Sequence, residues 1–245
     1  MMPLYNYCMD NLHVYGGKTA LAEAVAFRTV AILHHAIKEH GDAVWVLSGG
    51  STPLLAYDII ANRYANKLDW SLVTIVMGDE RMGSAKSPYN NWHSISMLID
   101  ALPVKKIRPA STVTSEESAM AYEKKLKRLP MTRKGLPRLD LVWLGVGPDG
   151  HTLSLFPEHV SLIPSIRLVI PVHNSPKPPS DRISLTFRAL MGAQSAMIIA
   201  TGKDKKEAVT DALSGKRLPI KIAEEIVATH GERVDWFVDE SASPK

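Results

Sequence analysis

The chain has 245 residues, 45% of them hydrophobic and 22% charged, which is ordinary for a soluble globular protein and long enough for one large domain or two small ones. The net charge of +4 is mild and suits a small anionic substrate; Lys124, Lys125, Lys127 and Arg128 cluster beside Glu123 as a solvated helix face, so nucleic acid is not the expected partner. One cysteine, Cys8, excludes an internal disulfide and, with the scattered histidines, zinc-ligand spacing; with no signal peptide and no uninterrupted apolar run of roughly 18 residues, the expectation is a cytoplasmic chain outside the membrane.

Along the chain, helical and strand-like periods alternate. Residues 19–39 repeat apolar positions at helical spacing, and Gly41 supplies a stop. AVWVL (43–47) is a buried-strand candidate followed at once by SGGSTP, and 53–65 reads as a helix with Pro53 at its first position. LVTIVMG (72–78) is a second strand candidate, followed by DER. Residues 91–102 and 114–129 have helical spacing, and LDLVWLGV (139–146) carries the clearest strand pattern. RLVIPV (167–172), ISLTF (183–187) and SAMIIATG (195–202) follow, then helices over about 203–213 and 220–229 and a closing strand, VDWFVD (234–239). Apolar strands alternating with helices predict an α/β fold with a mostly parallel sheet covered on both faces. NSPKPPSD (174–181) reads as an exposed loop rather than a boundary, so the expectation is a single domain over 1–245.

In open parallel sheets, ligands bind beyond the carboxyl ends of the strands. Four strand candidates end in a polar or glycine-rich motif: SGGSTP, GDER, GPDGHT and TGKDK. Ser48, Gly49, Gly50, Ser51 and Thr52 have the make-up of an anion cradle, with backbone N–H groups, hydroxyls and the positive end of a helix. A tight turn with an ordinary cap fits the same residues. Arg182 and Lys205 offer cations for a phosphate, or are plain surface charges. Asp79, Glu80 and Arg81 either form a structural ion pair or touch a ligand. In GVGPDGHTLSLFP (145–157), Gly145, Gly147 and Gly150 suit a sharply bent loop, and His151 falls near the start of a possible helical turn. A neutral imidazole can accept a proton as a general base does. Asp149 is near enough in sequence to orient the ring or bind a hydroxyl. A histidine that only stabilises the loop is the competing reading.

Together these segments resemble the 6-phosphogluconolactonase family. SGGSTP, DER, Asn91 ahead of a helix, GVGPDGHTLSLFP, DRISLTF (181–187), TGKDK (201–205) and WFVDESA (236–242) match in order from about residue 15 onward. DGHT-x-SLFP is the most specific block; the others are shared with a broader group of sugar-phosphate isomerases and deaminases. The resemblance implies a three-layer α/β/α sandwich with a Rossmann-like sheet, no metal and no organic cofactor. The implied reaction is hydrolysis of 6-phosphoglucono-1,5-lactone, the second step of the oxidative pentose phosphate pathway. It implies His151 as general base with Asp149 beside it, the SGGS loop, Arg182 and Lys205 at the phosphate, Asp79 and Arg81 near the sugar ring, and Thr52, Asn91 and Gly147 among the residues that bind substrate or its phosphate. The expected oxyanion donor is a backbone N–H of 145–151 or Arg81. The expected partner is a phosphosugar lactone, and the expected state a monomer or weak homo-oligomer.

The chain departs from the family pattern at Met82-Gly83-Ser84, where many relatives have an aromatic-Val-Pro run, and at Asn90, where Ser is usual. Deaminases with a similar loop and DGH carry a glutamate five residues after the histidine; here that residue is Phe156. A sugar-phosphate-sensing domain of a regulator would need a helix-turn-helix, and the roughly 15 residues before the first helix are too few for one.

Overall fold

The computed structural model describes residues 11–231 and 233–244; Cys8 lies outside them. Seven strands form a wholly parallel sheet: β1 (Leu12–Tyr15), β2 (Ala43–Leu47), β3 (Val73–Met77), β5 (Lys105–Ile107), β6 (Leu141–Gly145), β9 (Ser195–Ala200) and β10 (Arg233–Asp239). Their spatial order is β1-β10-β9-β6-β2-β3-β5. All five residues of β2 are buried, as a strand covered on both faces requires.

The chain moves outward from β2 through β3 to β5, then returns to β6 and continues the other way. Right-handed crossovers therefore place α1 (Lys18–His40), α2 (Leu54–Arg63) and α3 (Asn91–Ile99) on one face. They place α4 (Ser115–Leu126), α6 (Lys206–Leu213) and α7 (Pro219–His230) on the other, with the short α5 (Phe187–Leu190) packed on α7. Gly41 ends α1 at φ +81° with its N–H on the Ile37 carbonyl. By length and composition α1 would also serve as a membrane span, but its Leu21, Val25, Ala26 and Leu33 stripe is buried in the core. Thr114 and Glu117 form a reciprocal cap at the start of α4.

RLVIPV and ISLTF do not join the parallel sheet. They form β7 (Val169–Val172) and β8 (Arg182–Leu185), which pair antiparallel with each other. The DER residues become a short strand, β4 (Asp79–Arg81), on the other edge of β8. This second sheet, β4-β8-β7, hangs off the carboxyl end of the first. Gly78 is the only residue between β3 and β4, and it bonds both ways: its N–H donates to Leu47 and its carbonyl accepts from Leu185. The 203–213 segment begins as a tight turn over Lys203–Lys205 before α6, and Pro53 caps α2 rather than lying inside it.

Candidate functional site

The connections after β2 and β6 leave neighbouring strands toward opposite faces, which opens a crevice between them. A cleft of about 330 Å³ occupies it, lined by residues 48–53, Asp79, Arg81, 145–148, His151, Lys177, Arg182 and Lys205. All four motifs that follow strands thus reach one rim.

The 48–52 turn is fixed at its root by Tyr57 of α2. Its hydroxyl accepts from the Ser48 N–H at 3.0 Å and donates to the Ser48 carbonyl at 2.9 Å. Gly50 adopts φ +92°, which a side chain would strain. Thr52 and Thr201 share a 3.2 Å hydroxyl contact, joining this turn to the end of β9. Lys205 lines the same side and pairs with Asp204 at 3.0 Å.

Residues 147–151 close a compact loop. The Gly147 N–H donates to the His151 carbonyl at 2.8 Å, and the Gly150 N–H to the Gly147 carbonyl at 2.9 Å. His151 therefore sits in a turn rather than at the start of a helix, and the Gly147 and Gly150 N–H groups are already engaged. His151 Nδ1 lies 2.5 Å from Asp149 Oδ1, and the ring packs 4.6 Å from Phe156. Burial alone would raise Asp149, but the hydrogen bonds and charges of His151 and Lys177 outweigh it and hold its carboxyl well below the ordinary range. A Cβ at residue 147 would stand 1.9 Å from His151 Nδ1 and 2.5 Å from Asp149 Oδ1. Gly147→Ala is therefore expected to displace the pair and cut kcat at least ~10-fold. Steady-state kinetics on a variant of unchanged melting temperature checks this.

The antiparallel strand β4 sorts its three charges by alternation. Asp79 and Arg81 line the cleft; Glu80 does not. Asp79 accepts from Ser154 Oγ at 2.6 Å, and Arg81 Nη1 donates to the Tyr89 carbonyl at 3.0 Å. Arg81 Nε is buried without a hydrogen-bond partner among the described residues. Asn91, expected among the substrate-binding residues, is buried outside the cleft lining. Its amide donates to Asp79, and it fills the space where a side chain at Gly49 would stand. Asn90 keeps the capping role of the usual Ser: its Oδ1 accepts from His93 N–H at 2.8 Å at the start of α3.

Glu80 points away and accepts from the N–H groups of Arg81, Asn91 and Trp92 at 2.7–2.8 Å. Burial pushes its carboxyl up to about 7 in spite of those three bonds. A carboxyl held above its ordinary value binds its proton more tightly when folded. Its stabilising contribution is thus complete below about 4.5 and is lost as pH rises through about 7. Unfolding free energy is expected to fall by about 2–3 kcal/mol from this group between pH 5 and 8. Urea titrations of wild type and Glu80→Gln across that range should show the slope in the first and not in the second.

Arg182, at the start of β8, is 2% exposed. Its Nε donates to the Pro179 carbonyl at 3.1 Å and its Nη2 to those of Lys177 at 2.8 Å and Pro178 at 3.2 Å. Nη1 is 3.5 Å from Ser154 Oγ, and the guanidinium stacks over Phe156 at 5.3 Å. Burial pulls it below the ordinary guanidinium value, with Asp79 opposing and Arg81 adding to the effect. The guanidinium thus holds residues 177–179 against the cleft. Lys177 is a charged lining residue outside the expected set. A lysine amid prolines carried no signal beyond an exposed loop.

The family model for glucosamine-6-phosphate isomerases/6-phosphogluconolactonase matches residues 16–236. The 6-phosphogluconolactonase of Streptomyces coelicolor is 35% identical over 246 residues, covering 95% of this chain and 93% of the relative. That of Rattus norvegicus is 35% identical over 232 residues, covering 91% and 87%. Among solved structures, a 6-phosphogluconolactonase from Shewanella baltica superimposes with a TM-score of 0.81 at 25% identity, covering 93% of this chain and 97% of that one. One from Trypanosoma brucei gives 0.80 at 25%, covering 95% and 97%. With the family model taking in every residue that lines the cleft, the chain belongs to the family of glucosamine-6-phosphate isomerases and 6-phosphogluconolactonases.

Proposed function

We propose that the chain hydrolyses 6-phospho-D-glucono-1,5-lactone to 6-phospho-D-gluconate, with His151 as the general base. The observation that carries this reading is an imidazole tied through Nδ1 to Asp149 on the same rim as the 48–52 turn. The activity named for the Streptomyces coelicolor and Rattus norvegicus relatives points the same way.

The phosphate sits on the 48–52 turn, with Lys205 and the Nη1 side of Arg182 as its cations. This anchor fixes the lactone carbonyl, so binding supplies orientation. Nδ1 is committed to Asp149, which leaves Nε2 as the basic atom. Nε2 takes a proton from water as the water oxygen bonds to C1. The C1 oxyanion is met by Arg81, whose orphaned Nε marks it as the donor with capacity to spare. The tetrahedral intermediate collapses by breaking the bond from C1 to the ring oxygen, which receives the proton from His151. The new carboxyl group then loses its proton to solvent. No step calls for a metal or a cofactor.

A coupled or pH-stat assay on freshly made lactone tests the reading, with a no-enzyme blank because the substrate opens spontaneously. A rate at the level of the blank, with sugar-phosphate binding retained, would favour a sensing domain. The deaminase alternative lacks its glutamate: Phe156 is buried against His151 at that position. Release of ammonia from glucosamine 6-phosphate would revive it.

A further inference from the structure

We propose that Lys177 is a positioning residue for the proposed general base, one that shares the Asp149 carboxylate with His151 and so limits how strongly the ring holds a proton. This rests on the His151 role argued above. Lys177 Nζ stands 3.2 Å from Asp149 Oδ1, the same oxygen that meets His151 Nδ1, and 3.4 Å from Nδ1 itself. Its backbone is fixed independently of any ligand. The carbonyl accepts from buried Arg182 and from Ser175 Oγ, and the N–H donates back to Ser175 Oγ at 3.3 Å. The ammonium is therefore a built part of the site rather than a surface charge that happens to fall nearby.

The effect on proton transfer follows from the geometry. An Asp–His pair alone strongly stabilises an imidazolium, which favours taking a proton and hinders giving it back. A cation on the same carboxylate oxygen divides that stabilisation and also repels the charged ring. Hydrolysis of a lactone needs both halves: the proton from water must reach the leaving ring oxygen. The other charges around the ring are Arg182 beyond Phe156 and Asp79, Arg81 and Lys205 across the cleft. None of these contacts Asp149 Oδ1, so Lys177 is the group able to set this balance.

The test compares wild type with Lys177→Met, which keeps the stem, and Lys177→Arg, which keeps the charge. His151 is titrated by NMR on histidine-labelled protein, and kcat and KM for the lactone are measured against pH. In Lys177→Met the His151 midpoint and the acidic limb of kcat are expected to move up by about 1 pH unit, with kcat near pH 6.5 falling several-fold and KM little changed. Lys177→Arg is expected to restore both toward wild type. A His151 midpoint unmoved in Lys177→Met, or a loss confined to KM, would overturn the proposal. If the midpoint moves but wild type shows no turnover, the coupling stands and the lactonase reading falls.

Discussion

His151→Ala is expected to lower kcat about 10²–10⁴-fold while leaving affinity for 6-phosphogluconate near that of wild type. The two halves of this expectation come from different parts of the cleft. The proposed phosphate anchor is the 48–52 turn with Lys205 and Arg182, which line the cleft and make no contact with the imidazole among the described residues. The loop closure at 147–151 uses the His151 carbonyl, not its ring, so the alanine variant keeps its backbone bonds. What it loses is the imidazole tied to Asp149, which is then left paired with Lys177 among the described residues. Calorimetric binding of product together with steady-state kinetics separates the two effects. Full turnover by a folded His151→Ala protein would remove the imidazole from the mechanism.

Arg182→Ala is expected to do more than raise KM. Its guanidinium holds three carbonyls and lies buried over an aromatic ring, so truncation removes one of two donors from the Lys177 carbonyl, takes the donor from those of Pro178 and Pro179, and removes a cation that acts on Asp79. These carbonyls are partly exposed and water can replace the donor, so losing the charged hydrogen bonds and the contact with Phe156 costs about 1–3 kcal/mol, or roughly 2–12 °C in Tm for a chain of this size. Because residues 177–179 would lose their anchor, kcat should fall along with phosphate affinity. Thermal unfolding and kinetics on the same preparation test this. A variant with wild-type Tm and a pure KM defect would show that the guanidinium serves the substrate and not the loop.

Much of this architecture was legible from residue patterns because long, buried elements announce themselves. AVWVL is a strand end to end, and the 19–39 periodicity became α1 within a residue at either end. The rule that ligands gather beyond parallel strands brings four distant motifs to one rim from the sequence alone. The shortfalls have physical causes. DER is three charged residues, yet it forms β4 because Ile183 and its neighbours in β8 offer a partner that only the folded chain supplies. Lys105 and Lys106 lie on an edge strand, where charges are tolerated and apolar pattern is weak. Asn91 reads from the sequence as a substrate-binding residue, yet it packs against Asp79 outside the cleft lining, a distinction that spacing along a chain does not encode. Lys177 was missed for the same kind of reason, since its place depends on an arginine five residues later turning inward to seize its carbonyl.

Tyr57 has a counterpart on the opposite helical layer: the Tyr122 hydroxyl of α4 bonds both the N–H of Met77 at 2.7 Å and its carbonyl at 2.8 Å, at the end of the strand next to β2. Each phenol acts as a rivet, bonded to both the N–H and the C=O of one residue where a strand gives way to cleft wall. Burial drives both hydroxyls well above the ordinary tyrosine value. These two fastenings consequently keep their protons in moderately basic solution, so the ends of β2 and β3 stay pinned even where Glu80 has ionised.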